Sequence, residues 1–260
     1  MKGIKAMRVR MLGTGYGECK VRKKSVKDFR RKGGVLIDDK ILIDAPSDIF
    51  DVAEELGFSD MFENVNDIII SHSHEAHFSV ETIAKLAGNK AIRIYATGKV
   101  LDLIPDSSNI EKIKLSTSLP VQIGAYTLYS LPANHLTNIK GEMCLNFAIS
   151  KDKTLLYALD GGGISFNAWK TLSQLKIDAV ITECALELCE TSYASTYHNN
   201  IEATKVLRDI LVSGGISAPS VKFVLTHIPS DRKRPIHDEL SSAAKSFGMS
   251  VAYDGYFFSV

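Results

Sequence analysis

The sequence predicts an α/β fold with two mixed β-sheets packed face to face and helices outside them, an αββα sandwich forming one domain over residues 1–260. Each half of the chain contains an apolar hairpin, at residues 33–43 and 145–159, and hairpins require antiparallel pairing. Each hairpin is followed by alternating helix and strand patterns, which are typical of parallel strands. A doubly wound Rossmann sheet fits less well because of the hairpins, and no linker divides the chain.

The elements of the first half follow from periodicity and punctuation. Residues 7–12 alternate basic and apolar side chains, which predicts a half-buried strand, and a glycine-rich turn follows at residues 13–17. The hairpin of residues 33–43 comes next. Helices are predicted at residues 47–56 and 79–86, with Ser47 and Ser79 as N-caps, on either side of a buried strand at residues 67–70. A strand at residues 93–96, a short helix at 98–103 and further strands to residue 131 complete this half.

The second half of the chain shows the same succession of a hairpin followed by helices and strands. Its hairpin pairs residues 145–149 with 154–159, and a helix at 167–175 leads to a buried strand at 179–182. Residues 200–212 have the apolar spacing of an amphipathic helix. A strand at 221–225, a helix at 237–247 and a closing strand at 251–258 are predicted last.

Composition narrows the class of protein. Net charge is +1, so no global field would attract nucleic acid, and no apolar run approaches the roughly 20 residues that span a bilayer. The four cysteines form no CxxC pair, which favours reduced thiols and a cytoplasmic protein. Residues 20–32 are strongly basic, and they are either a solvated loop or an anion-attracting rim beside a site. The sequence does not determine the oligomeric state; a homodimer is the candidate because dimers are the commonest soluble oligomers.

The strongest chemical signal is an H-x-H-x-x-H cluster formed by His72, His74 and His77, with a chance-match expectation of roughly 0.005 for this composition. His72 and His74 are two residues apart in extended chain, so their imidazoles point the same way. Neutral imidazole suits Zn²⁺, Mn²⁺ or Fe²⁺, and the cluster directly follows a buried strand that can hold the rings rigidly. We interpret this cluster as a metal site.

Three more candidate ligands stand at the ends of apolar strands: His135, Asp160 and His227. Each alone is compatible with an ordinary hydrogen-bonded polar residue. Together they repeat one pattern, and ligands converging at one sheet edge are what a binuclear metal site needs.

This order of residues resembles the metallo-β-lactamase superfamily, and the opening segments at residues 12–15 and 41–45 also look like those of that superfamily. The resemblance covers nearly the whole chain and implies its αββα fold. It implies two divalent ions, Zn²⁺ or Mn²⁺, the first held by His72, His74 and His135. The second would be held by His77 and His227, with Asp160 bridging the two ions and Asp44 orienting the ligands.

One position departs from the family motif, which has an aspartate where this chain has Ala76. The family aspartate binds the second metal and orients the attacking water, so its loss implies a weakened second site. Glu75 is adjacent, but its side chain is expected to point away from the site. Because every other ligand is intact, we interpret Ala76 as an inactivating substitution, engineered or natural.

His198 adds a further resemblance, to the PhnP-like phosphodiesterases and the tRNase Z group, in which a histidine so placed is the general acid for the leaving oxygen. The alternative is an exposed histidine at a helix start. The cysteine-bound zinc common in PhnP-like enzymes is absent, since only Cys19 stands in that region. Position alone suggests Thr14, Gly15, Arg30 and Arg31 as substrate contacts.

The sequence therefore leaves three functional hypotheses. The first is a metal-dependent phosphodiesterase for a small cyclic or diester phosphate, such as a cyclic nucleotide or ribose cyclic phosphate, with Asp160 and His198 as catalytic residues. The second is another hydrolase on this scaffold, namely a lactonase, a thioesterase or an RNA nuclease; the nuclease ranks low because no long tRNA-holding insertion is present. The third is a non-catalytic metal or nucleotide binder, which Ala76 favours. No membrane partner is expected.

Overall fold

The computed structural model describes residues 6–17, 27–88, 90–189, 197–230 and 235–260 of the chain. These residues form two seven-stranded sheets packed against each other, with helices on their outer faces. The predicted αββα sandwich is confirmed. Within the described ranges, no helix is long and apolar enough to cross a membrane.

The first sheet contains an antiparallel part followed by a parallel part. Its strands are β1 (Arg8–Met11), β3 (Val35–Ile37), β4 (Ile41–Ile43), β5 (Asp67–Ile69), β6 (Ile92–Ala96), β7 (Ile110–Lys114) and β16 (Phe257–Ser259). They lie in the order β16-β1-β3-β4-β5-β6-β7. The predicted hairpin forms β3 and β4, and β4 to β7 are parallel, as helix–strand units require.

The second sheet has the same two-part design. Its strands are β8 (Val121–Ile123), β9 (Tyr126–Pro132), β10 (Leu145–Ser150), β11 (Thr154–Ala158), β12 (Ile177–Glu183), β13 (Ser217–Thr226) and β15 (Ser250–Val251). They lie in the order β15-β13-β12-β11-β10-β9-β8. The predicted hairpin forms β10 and β11. A separate two-stranded pair, β2 (Gly15–Tyr16) and β14 (Ile228–Pro229), lies beside the ends of both sheets.

In the described parts of the chain, six helices cover the outer faces: α1 (Ile49–Glu55), α2 (Val80–Ala87), α3 (Gly98–Leu101), α4 (Phe166–Leu172), α5 (Ile201–Ser213) and α6 (His237–Ser246). Ser79 caps α2 as predicted, since its hydroxyl accepts from the backbone of Thr82. The prediction for Ser47 is wrong: Asp48 is the N-cap of α1, and the Ser47 hydroxyl donates to its carboxylate instead. The predicted helix at 167–175 begins one residue earlier, because Ser165 caps it, and it ends three residues earlier, at Leu172.

The principal core lies between the two sheets, where Val9, Phe147, Leu155 and Val224 are completely buried. Two further apolar clusters lie on the outer sides of the sandwich, one between each sheet and its helices. Burial on both faces explains why β3, β4 and β11 are continuous apolar runs rather than alternating ones.

The predicted closing strand at 251–258 is wrong, because the chain crosses there from one sheet to the other. Ser250–Val251 pairs with β13 in the second sheet, whereas Phe257–Ser259 pairs with β1 in the first. Asp254 lies at the crossing, and its carboxylate accepts from the backbone N–H groups of Thr14 and Arg31. These contacts tie the crossing to the glycine-rich turn after β1. A strand-like composition cannot reveal such a change of partner.

The glycine-rich turn packs so closely that a side chain cannot be added at Gly13, where a Cβ would lie 2.1 Å from the Lys32 carbonyl oxygen and 2.6 Å from that of Arg31. Because both neighbours are backbone atoms, Gly13→Ala is expected to lower the free energy of unfolding by about 3 kcal/mol. Urea denaturation measures this, with Gly98→Ala as the control, since a Cβ there meets only the flexible end of Lys114. Equal stability of the two variants would contradict the close packing.

Candidate metal centre

The candidate site lies where several strands of both sheets end at the same edge. His227 comes directly after β13, Asp160 follows two residues after the end of β11, and His72 and His135 follow three residues after the ends of β5 and β9. The carboxyl ends of parallel strands meet at one edge, so residues distant in sequence converge there. The structure brings together all six sequence-predicted ligands, which are His72, His74, His77, His135, Asp160 and His227.

A first group consists of three imidazoles. Nε2 of His72 and Nε2 of His135 each lie 3.1 Å from Nδ1 of His74. All three ligand atoms lie within 4.8 Å of one another, as in a group that could hold a metal ion. Burial holds the pKa of His72 well below its ordinary value and lowers that of His135 to about 4. Both rings are therefore neutral, which is the form that binds metal.

Asp160 joins this group to a second one. Its Oδ2 lies 2.6 Å from Nε2 of His77 and 3.5 Å from Nε2 of His72, whereas its Oδ1 lies 3.0 Å from Nε2 of His227. His72, His77 and Asp160 form a further group able to hold a metal ion. The carboxylate is buried and stands between the two sets of imidazoles, which is the position a bridging ligand needs.

Three residues of the site adopt left-handed backbone conformations that are rare outside glycine. The φ angles are +61° at Asp44, +49° at Asp160 and +56° at His227. Each follows the end of a strand, at a point where the strand gives way to a loop. Backbone strain of this kind concentrates at functional sites.

Asp44 holds the histidine cluster from behind. Its fully buried carboxylate accepts from Nδ1 of His77 at 2.7 Å, from the Tyr157 hydroxyl at 2.7 Å, and from the backbone N–H and hydroxyl of Ser71. Burial opposes a charge on His77, but the flanking carboxylates of Asp160 and Asp44 raise its pKa to about 10. Tyr157 belongs to the second sheet and Asp44 to the first, so this contact also joins the sheets at the site.

Glu183 was not anticipated from the sequence. This fully buried carboxylate ends β12, and its Oε2 lies 2.7 Å from Nδ1 of His198, while its Oε1 accepts from the backbone of Gly161 and Gly162. Nδ1 of His198 also lies 3.5 Å from Oδ1 of Asp160. Burial opposes a charge on His198, but the hydrogen bond that its Nδ1 donates to the Glu183 carboxylate raises its pKa. A carboxylate at the end of an apolar strand was the available signal, because that feature had identified Asp160.

Two further contacts of the site had no sequence signal. Glu142 accepts from the backbone N–H of Ser73, at 2.8 Å, and from its hydroxyl, and so holds the loop between His72 and His74. The Tyr16 ring stacks on His227, with 4.8 Å between the ring centroids.

The glutamate next to Ala76 does not replace the missing aspartate. Ala76 offers no ligand atom, and the neighbouring Glu75 side chain is 80% exposed and pairs with Lys32 at 3.1 Å. Glu75 therefore points away from the histidine cluster, as expected from its place in the motif.

The four residues suggested as substrate contacts are engaged in contacts with other parts of the chain. Arg30 and Thr14 are each 1% exposed, and the Arg30 guanidinium donates to the Thr14 hydroxyl. Gly15 lies in the β2–β14 pair, and Arg31 pairs with Asp51 and Glu55 of α1. This arrangement gives Arg30 and Arg31 a role in holding the turn. The rest of the basic stretch, residues 20–26, lies outside the described residues.

Solved structures with the same architecture were found by comparison. The metallo-beta-lactamase fold protein YhfI from Bacillus subtilis superposes with a TM-score of 0.75 at 20% identity, covering 98% of this chain and 99% of that one. Unliganded yeast PDE1 superposes with a TM-score of 0.68 at 11% identity, covering 98% of this chain and 99% of that one. A long form RNase Z from yeast gives 0.61 at 13% identity, with 98% of this chain but 42% of that chain covered. This chain has the metallo-β-lactamase fold.

Comparison with protein-family models gave no match, and comparison with curated proteins gave none.

Proposed function

We propose that this chain is a metal-dependent hydrolase whose substrate is a small phosphodiester, with activity reduced by Ala76. The donor set supports a divalent transition metal: three neutral imidazoles with converging ring nitrogens form one group, and a buried carboxylate lies between it and two more imidazoles. His72, His74 and His135 would hold one ion, Zn²⁺ or Mn²⁺. His77 and His227 would hold a second ion with Asp160 shared, but the missing carboxylate at Ala76 leaves that half incomplete.

When bound, such ions polarise a phosphoryl oxygen and lower the pKa of a bound water to near neutrality. The chain's own residues supply the rest. Asp44 fixes the ring of His77, because its carboxylate accepts from Nδ1 and leaves Nε2 directed at Asp160. Glu183 fixes His198 in the same way, since it bonds Nδ1 and leaves Nε2 as the ring nitrogen able to reach a substrate.

The observation that carries the phosphodiesterase proposal is the pairing of His198 with Glu183 beside Asp160. Cleavage of a phosphodiester leaves an alkoxide, which departs far more easily if a proton is delivered to its oxygen. A histidine held by a buried carboxylate at the edge of the metal ligands is suited to donate that proton. Yeast PDE1 and the yeast RNase Z share this fold, which supports phosphodiester chemistry as the first choice.

A small substrate is favoured over a long RNA. The net charge of +1 gives the chain no strong overall positive field that would attract a polyanion.

The second candidate function is a non-catalytic metal binder, and the absence of a ligand at Ala76 favours it. A substrate panel separates the alternatives: bis-p-nitrophenyl phosphate, p-nitrophenyl acetate and a lactone, each assayed with Zn²⁺ and with Mn²⁺. Metal-dependent cleavage of the diester, lost in His135→Ala, is expected. Preferential cleavage of the lactone or ester would replace the phosphodiesterase proposal, and no turnover by this chain or by Ala76→Asp would favour the binder.

Asp44→Asn tests the support that the ligands receive from behind. The amide would place N–H groups against donors from Ser71, His77 and Tyr157, so the ring of His77 would lose its orientation. The expected result is a 10- to 100-fold loss of Zn²⁺ affinity, of the order typical for such supporting carboxylates, measured by competition with a chromogenic chelator. Tyr157→Phe keeps the Asp44 carboxylate and removes one hydrogen-bond donor to it, so this variant should lose markedly less Zn²⁺ affinity. Unchanged affinity in Asp44→Asn would contradict this role.

A further inference from the structure

The first group of imidazoles comes from two loops that belong to different sheets. His72 and His74 lie in the H-x-H loop (residues 70–79), which follows β5 of the first sheet. His135 lies in the His135 loop (residues 133–144), which joins β9 to β10 of the second sheet. Hydrogen bonds within one sheet therefore do not set the distance between His135 and the other two rings. That distance depends on contacts between the two loops.

The Glu142 side chain, in the His135 loop, makes such a contact. Its Oε1 accepts from the backbone N–H of Ser73 at 2.8 Å, and its Oε2 accepts from the Ser73 hydroxyl. The same Oε2 accepts from the Thr137 hydroxyl at 2.7 Å. Ser73 lies between the first two histidines, and Thr137 is two residues after His135. The carboxylate thus links the H-x-H loop to the part of the other loop that carries the third imidazole.

The backbone around Glu142 is held in place by hydrogen bonds. Its N–H donates to the Ile139 carbonyl oxygen at 3.1 Å, and the Ile139 N–H donates to the Thr137 hydroxyl oxygen at 3.1 Å. At the start of β10, the Leu145 N–H donates to the Ser71 carbonyl oxygen at 3.1 Å. The carboxylate therefore extends from a backbone of defined position, beside a second bond between the two sheets' ligand-bearing ends.

A carboxylate suits this position because all three groups that it meets are donors. Hydrogen bonds to a charged acceptor are about twice as strong as those between neutral groups. Alanine at position 142 would leave the Ser73 N–H without this acceptor and would break the link. Glutamine would keep an acceptor for that N–H, and the two hydroxyl groups can turn to accept from its amide. The two substitutions therefore separate the loss of the link from the loss of the charge.

We propose that Glu142 is a positioning residue for the ion that His72, His74 and His135 would hold. Its carboxylate keeps the H-x-H loop against the His135 loop, so that the three ring nitrogens are close together before an ion binds. Ligands that are already ordered lose less entropy on binding, which increases affinity. The inference rests on the proposed metal centre and extends it to a residue that is not a ligand.

Imidazole ¹⁵N NMR of the EDTA-dialysed protein tests the link without any ion. In Glu142→Ala, the ring signals of both His74 and His135 are expected to shift, because each loop loses its contact with the other. Glu142→Gln should return both signals most of the way to their parent positions. Glu75→Ala is the matched control and should move neither signal, since it removes a carboxylate of the same H-x-H loop that faces Lys32 instead.

Zn²⁺ affinity, measured by competition with a chromogenic chelator, tests the consequence for the ion. Glu142→Ala should lose about tenfold or more, and Glu142→Gln clearly less. Glu75→Ala should change the affinity by less than about twofold. Thr137→Val removes one of the three donors and should give an intermediate loss; it takes the place of Glu142→Ala if that variant folds poorly.

Three results would overturn the proposal. The first is a shift confined to His74, and the second is a loss of Zn²⁺ affinity in Glu142→Ala no greater than in Glu75→Ala. The third is a Glu142→Gln variant as weak as Glu142→Ala, which would show that the charge acts and the link does not. A parent chain that holds no Zn²⁺ would contradict the proposed hydrolase instead, and the ring signals, measured without metal, would still decide for or against the link.

Discussion

Ala76→Asp is expected to raise the turnover of bis-p-nitrophenyl phosphate by about two orders of magnitude or more. The change restores a carboxylate next to His77. At this half of the centre, the proposed ligands are otherwise His77, His227 and the shared Asp160. Because Glu75 is turned outward to Lys32, it does not compensate for the missing aspartate. The measurement is the steady-state rate with saturating Mn²⁺ or Zn²⁺.

Ala76→Asn is the matched control for this prediction. It has nearly the same size as the aspartate but carries no charge, so it should recover far less activity. An Ala76→Asp protein that turns over substrate at the parent rate, across the diester, ester and lactone panel, would contradict the interpretation of Ala76 as an inactivating substitution.

His198→Gln is expected to separate substrates by their leaving groups. In the Ala76→Asp protein it should reduce cleavage of an alkyl phosphodiester by about 10²- to 10³-fold, because the departing alkoxide needs a proton. Cleavage of bis-p-nitrophenyl phosphate should fall less than about tenfold, because p-nitrophenolate departs without one. The measurement is kcat for the two substrates under the same conditions.

Glu183→Gln provides the companion variant. It keeps a hydrogen-bonding group near Nδ1 of His198 but removes the charge. Its loss of kcat should therefore also be greater for the alkyl diester than for bis-p-nitrophenyl phosphate, but smaller than in His198→Gln. Equal losses on both substrates in His198→Gln would show that this histidine does not act as a proton donor.

The sequence was sufficient for the architecture and for the ligand cluster. The hairpins at 33–43 and 145–159 and the helix–strand units predicted both sheets, and strand-end placement predicted that His135, Asp160 and His227 would meet the H-x-H-x-x-H cluster. These features depend on local periodicity and on the rule that parallel strands end at one edge, both of which can be read from one chain.

Features that depend on contacts across the sandwich could not be predicted. Tyr157 reads as a core strand residue, yet its hydroxyl reaches across to Asp44. Arg30 reads as part of a basic surface stretch, yet it is buried against Thr14 and His237. The split of residues 251–258 between two sheets is decided by which strand each end pairs with, and the composition is strand-like on both sides.

Metal content per chain tests the central claim most directly. Equilibrium dialysis against Zn²⁺ followed by elemental analysis would be done on this chain, on Ala76→Asp and on His135→Ala. The account predicts one tightly held ion in the present chain, two in Ala76→Asp, and loss of the tight ion in His135→Ala. If neither this chain nor Ala76→Asp retains a transition metal, the histidine cluster is not a metal centre and the proposed hydrolase function is wrong.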